Sequence, residues 1–247
     1  MTGRLLARGL IAGLVAACLA FLFGRLFGEP SIAHAISFEE ARDALAGEPP
    51  EPELVSRTVQ STWGLLTAIV MLGAAYGGLF SLGFSLAYGR IARLTPRATA
   101  LLVAAIGFVV LVLVPDLKYP PNPPAVGNPD TIGLRTEVYF EIILISICCA
   151  VIACLASRPL IQKLGTWNGT IIAGVLFIAL VSGMQFTLPD ISEVPDTFPA
   201  TVLWRFREAS IGTQMLLWSS MALIFGPMAE KVLCAPQRSS SHARTLG

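Results

Sequence analysis

Charge is scarce in this chain. Asp, Glu, Lys and Arg make up 13% of its 247 residues, about half the share usual in soluble domains. Mean hydropathy is +0.70. Too little charge to cover a water-facing surface points to lipid as the solvent. A net charge of +1 gives no basic excess for binding nucleic acid. Histidine occurs twice, at His34 and His242, so a histidine-rich metal cage cannot be built from this chain alone. The five cysteines (Cys18, Cys148, Cys149, Cys154 and Cys234) include no CxxC pair. Their odd number and apolar surroundings exclude a disulfide framework and read as small buried hydrophobes. A GxxxxGK[ST] phosphate loop is missing, so no ATPase is expected in this chain. HExxH and a nucleophile–histidine pair are missing too, so an enzyme is not expected.

What the sequence has instead is a series of long uncharged runs. A spanning helix needs about 20 mostly apolar residues, and six candidates are predicted, near residues 5–27, 60–88, 98–115, 137–157, 165–188 and 209–230. They give an all-α, polytopic transmembrane helix bundle of about six spans. It forms one integral membrane domain over residues 1–234, followed by a disordered tail, 235–247. Arg4 and Arg8 ahead of an apolar stretch, with Ala33-His34-Ala35 beyond it, also fit a cleaved leader. The length of Leu5–Phe27, with Arg25 and Pro30 before the cut, favours a retained helix.

Lys and Arg set the orientation. With the N-terminus cytoplasmic, the inner segments hold Arg4, Arg8, Arg90, Arg93, Arg97, Arg158, Lys163, Lys231, Arg238 and Arg244 but one acid, Glu230. Both termini are therefore expected in the cytoplasm. The outer loops are longer and acidic. In the first, the EPPEPE stretch, residues 48–53, is expected to be extended, and SFEEARDAL, residues 37–45, to form a short surface helix.

Four features bear on function. Gly73 and Gly77 form a GxxxG spacing, repeated at Gly9/Gly13 and Gly165/Gly169, and such spacings let membrane helices approach closely. Second, residues 118–132 read KYPPNPPAVGNPDTI. Proline fixes φ and removes a donor, so this outer loop is predicted to be stiff and non-helical, with carbonyls free to face water or a ligand. Tyr119, Pro120, Asn122, Pro124 and Gly127 would order it. It is either a rigid connector or a cation-binding cover. Third, Glu137 and Glu141 share a helical face near the outer membrane boundary. With Asp116 and Asp130 they are the candidate metal ligands, the alternative being a solvated interfacial pair. Fourth, Trp204, Arg205 and Arg207 form an aromatic and basic band before the last span, the composition of an interfacial anchor. Either arginine could neutralise the outer carboxylates when no cation is bound. His34 with nearby carboxylates is a weaker site for a divalent ion.

LKYPPNPPAVGNPDTI followed by RTEVYF resembles the most characteristic stretch of the CbtA family of proposed cobalt transporter subunits. GEPSIAHAISFEE, VSRTVQSTWGL and FPATVLWRFREAS are similar as well. The resemblance implies cobalt uptake for cobalamin synthesis across the bacterial inner membrane, with the cobalt ion as transported substrate and no cofactor. It also implies a partner, the small single-span histidine-rich subunit CbtB. The family is usually described with five spans, one fewer than counted here.

Overall fold

The computed structural model describes residues 2–47, 54–90, 94–124 and 126–234. The EPPEPE stretch and the tail from residue 235 lie outside the described residues. Every regular element among those described is helical. Helices α1 (Thr2–Phe23) and α2 (Glu29–Ala46) are joined through a π turn, Gly24–Gly28, into one 45-residue rod. The expected surface helix is thus no separate piece; it is the outer end of α2. Helix α3 (Arg57–Val59) leads through a second π turn, Gln60–Gly64, into α4 (Leu65–Ala87). Helices α5 (Pro96–Phe108) and α6 (Val114–Lys118) join through a third, Val109–Leu113. Then come α7 (Ile132–Gln185) and α8 (Ala200–Leu233). Five continuous helices are long and apolar enough to cross a membrane.

Helix α7 has 54 residues. As a straight rod it would measure about 81 Å, against a hydrocarbon core of about 30 Å. It does not run straight. Gly165 has φ 80° and ψ 165°, and beyond it the chain folds back, so that a Cβ on Gly169 would lie 2.6 Å from the Ile161 Cα. Cys149 and Val181, each sixteen residues from Gly165, share one apolar cluster with Val114. Helix α7 is therefore a hairpin of two antiparallel legs, 132–164 and 166–185. The sequence reading gave Gly165 to a helix-packing motif. In the structure it has nothing within 4 Å and instead makes the turn, at a positive φ that favours glycine. Residues 158–164, expected as a connecting loop, continue the first leg.

The main core lies between α1, α4, α5 and α8. Ala12, Ala16, Ala17 and Ala20 of α1 are fully buried, with Phe84, Met221 and Phe225 from the other helices. Phe225 meets Phe80 and Phe84 edge-on, with ring centroids 5.3 and 5.0 Å apart. Gly9 lies against Gly77, and Gly13 against Gly73, so closely that a Cβ on any of the four would overlap the facing helix. The descending pairing makes α1 and α4 antiparallel. The Arg8 guanidinium donates to the Met228 carbonyl (2.7 Å), and Gly212 abuts the Phe23 ring, so α8 also runs antiparallel to α1. The start of α1 and the end of α8 thus share one end of the bundle, where Arg97 also pairs with Glu230 (2.7 Å). Outside the core, large side chains such as Leu86, Leu155, Ile178 and Leu223 face outward, as expected where the surroundings are lipid. Only Cys149 of the five cysteines is buried; the other four are exposed on the outside of the chain, against the expectation from composition.

A second, small core forms at the opposite end. Ala35 of α2, Val126 of the proline-rich loop and Phe198 ahead of α8 pack together, flanked by Phe38 and Val194. Phe38 and Phe198 meet edge-on at 5.1 Å. Three segments far apart in sequence thereby close into one cap.

The glycine contacts predict how substitutions behave. Gly77→Ala forces α1 and α4 apart and should cost about 1–3 kcal/mol. Gly174→Ala has nothing within 4 Å of the new methyl and should be neutral or stabilise by up to about 1 kcal/mol. Thermal unfolding of the two purified variants in one detergent checks the contrast.

Candidate functional site

The cap over this end of the bundle is built around the proline-rich loop. Val114–Lys118 remains helical and Pro129–Thr131 forms a 3-10 turn, so the non-helical part is shorter than the sequence predicts. Pro115 lies inside the continuous α5–α6 rod, directly after the π turn Val109–Leu113, and such local π adjustments let a membrane helix accommodate proline.

The Pro121 and Asn128 carbonyls and the Asn122 side-chain oxygen are not free, which corrects part of the expectation drawn from the loop's prolines. Arg207, from the first turns of α8, donates to the Pro121 carbonyl (3.3 Å) and to Asn122 Oδ1 (2.9 Å). Arg135, in the first turn of α7, donates to the Asn128 carbonyl (3.2 Å). Its Nε lies 3.2 Å from Glu193 Oε2. Glu193 also accepts from the Asn128 amide (3.1 Å) and from the Thr131 hydroxyl. Tyr119 donates its phenol proton to the Pro189 carbonyl (2.8 Å), and Lys118 pairs with Asp190 (2.5 Å). Gly127 leaves room for the Arg135 guanidinium, which a Cβ there would strike. Of the loop-ordering candidates, Tyr119 and Asn122 thus make the anchoring bonds, Gly127 clears space, and Pro120 lines the cavity beneath. Pro124 is exposed, while its neighbour Pro123 is buried.

Beneath the loop lies a cavity of about 490 Å³, lined by Tyr119, Asn122, Arg135, Tyr139, Glu193 and Arg207 among others. The four candidate metal ligands are not gathered there. Asp116 is half-buried on α6, within electrostatic reach of the Tyr76 and Tyr139 phenols. Asp130 is exposed in the 3-10 turn, its backbone amide donating to Asn128 Oδ1 (3.0 Å). Glu137 and Glu141 are both exposed on α7. Glu141 acts on Tyr119, whose phenol is pushed above its ordinary range, mainly by burial. Among the described residues, no three His, Cys, Asp or Glu side chains come close enough to share an ion. Trp204 and Arg205 are exposed. Arg205 lines a separate groove with His34 and Glu208.

Sequence reasoning missed Glu193 and the clamp it makes with Arg135. Its carboxyl is held below the usual range, first by the Thr131 hydroxyl; burial, next in size, opposes this, and the Asn128 amide and the Arg135 charge add smaller lowering effects. A depressed carboxyl contributes stability above its unfolded value, about 4.3, and loses it as pH falls through the folded value. The clamp should therefore hold unchanged from about pH 5 upward and release only on stronger acidification. Glu193→Gln should weaken it where the carboxyl is ionised and remove the pH dependence. Hydrogen exchange at the Asn128 amide reads both effects.

No curated protein and no solved structure matches the chain. Residues 2–230, nearly its whole length, match one family. That stretch takes in every residue of the cap and the helical bundle up to three residues before the end of α8. The chain belongs to the family of probable cobalt transporter subunits, CbtA.

Proposed function

We propose that this chain is the integral membrane permease subunit of a Co²⁺ uptake system. The family match over residues 2–230 carries the reading. The bundle supports it: its two termini-bearing ends lie together, and a pinned, proline-rich cap packs against α2, α7 and α8 at the other end. The six helical legs cross the bilayer, with both termini cytoplasmic and the cap outside the bacterial inner membrane. The uneven spread of Lys and Arg favours this orientation.

The acidic outer face raises the local concentration of cations by electrostatic attraction. Asp116, Asp130, Glu137 and Glu141 act in entry as successive carboxylates rather than as one cage, since they stand apart. Asp116 is the most buried of them. Transport rather than catalysis is the activity, and the imported cobalt supplies cobalamin synthesis.

A histidine-rich single-span partner, CbtB, would add the nitrogen ligands this chain lacks. One observation favours a second reading, in which the chain is a membrane scaffold that assembles or stabilises that partner without moving metal: no three-ligand cluster exists among the described residues.

Radioactive cobalt uptake into proteoliposomes, with and without the partner, separates the two. Uptake by vesicles holding this chain is expected, and none under any condition would leave the scaffold. Asp116→Asn and Glu141→Gln should each lower uptake, Asp116→Asn by roughly tenfold, the effect of about 1.4 kcal/mol on a barrier. Equal membrane content of each variant, checked by immunoblot, makes the comparison fair.

A further inference from the structure

The two legs of α7 are fastened to the rest of the bundle near the cap. There Cys149 and Val181 pack with Val114, and Val109, Ile145 and Phe177 surround them. Toward the Gly165 turn a groove of about 400 Å³ opens between the hairpin and the α5–α6 rod. Ala105 and Val110 line it from the rod, Ala150, Cys154 and Ser157 from the first leg, and Gly174 from the second.

The groove is apolar and holds no charged group. Its two hydroxyl-bearing residues, Ser157 and Thr170, each donate to a carbonyl of their own helix (2.7 Å in both), so neither has a proton to spare for a ligand. From Ala150 to Ser157 the groove runs about 10 Å along the helix. The hydrocarbon core is about 30 Å thick, so the groove fits within one leaflet.

Positive charge is gathered just beyond its end. Arg158 follows Ser157 and stands one turn on from Cys154, which places it over the same face of the leg. Lys163 comes two residues before the turn. Both are exposed, and neither has an ion-pair or hydrogen-bond partner among the described residues. No acid follows Glu141 in α7, so nothing in the hairpin opposes these charges at its tip. Trp167, 78% exposed, stands close by in sequence, and such aromatic rings collect at the level of lipid headgroups.

An apolar groove ending in unopposed cations fits a molecule with an acyl chain and an anionic head. Basic pockets between membrane helices bind such heads. A membrane helix fits the space less well. Over this length a helix about 10 Å across would displace about 800 Å³, twice the volume of the groove. An acyl chain is thinner and bends to the shape of the walls.

We infer that this groove binds an anionic phospholipid, its acyl chain lying between α5 and the α7 hairpin and its phosphate held by Arg158 and Lys163. The lipid fills the space between hairpin and rod and so fastens the far end of the hairpin to the bundle. The site goes beyond the transport reading and does not depend on it.

The test is native mass spectrometry of the purified full chain in detergent, titrated with phosphatidylglycerol and with phosphatidylcholine of the same acyl chains. The unaltered chain is expected to bind phosphatidylglycerol at least tenfold more tightly. Arg158→Gln and Lys163→Gln together should erase that preference. A Cβ on Gly174 meets nothing within 4 Å, so Gly174→Leu can fill the groove without a clash there. It should lower phosphatidylglycerol binding at least tenfold with both charges in place. Should the double variant fail to give a monodisperse preparation, Gly174→Leu decides. Equal binding of the two lipids by the unaltered chain, or unaltered phosphatidylglycerol affinity in either variant, overturns the site. Loss of bound phosphatidylglycerol on co-purification with a single-span partner would give the groove to a helix and overturn it too. Cobalt uptake is no part of this readout, so the lipid site and the transport reading stand or fall separately.

Discussion

In lipid, an apolar side chain gains nothing by leaving its surroundings, so helices must be held by close backbone approach. That constraint shapes the whole bundle. The four glycines that bring α1 against α4 set the spacing of the rod from which α2 and the cap project. Alanines fill the rest of that face. Larger residues are turned outward, where the acyl chains accept them. Only toward α8 does the core carry bulk, in the Phe80, Phe84, Trp218 and Phe225 cluster. The bundle is thus tight on one side of α1 and aromatic on the other.

The cap follows a different logic. It lies where water returns, and it is held by charge and hydrogen bonds around a very small apolar centre. Two guanidinium groups do most of the holding, Arg135 from α7 and Arg207 from α8. Arginine suits the task because its planar fork offers several donors at once. Prolines remove the loop's own donors, so its carbonyls must be met from elsewhere. Stiffness and pinning are therefore complementary: the prolines limit the shapes of the loop, and the arginines select one.

Much of the fold was legible in the sequence because hydrophobic runs are local. The α4 rod, the α5–α6 rod and α8 fall close to the predicted runs, with ends displaced by a few residues or, at the start of α8, by about nine. Asn122 was recognised as an ordering residue, yet its partner Arg207 lies 85 positions away and no local pattern joins them. Glu193 was one acid among several in an outer loop; its importance comes from Thr131, Asn128 and Arg135 meeting it in space. Gly165 shows the opposite failure. A local pattern was present, and it pointed to packing, whereas the backbone dihedral made it a turn. Glu29 carries no local signal beyond its charge, since its burial and its pairing with Arg57 depend on how α2 and α3 come together.

The π turn between α1 and α2 holds one residue more than an ordinary helical path would. Each residue advances a helix by about 100°. With that extra residue removed, everything beyond Gly28 would rotate by this angle about the rod. Glu29 would swing away from Arg57, and Phe38 would leave Phe198. A single inserted position in α1 therefore sets the phase of the whole outer half, and the membrane-facing and cap-facing stripes of one continuous rod are kept in register by it.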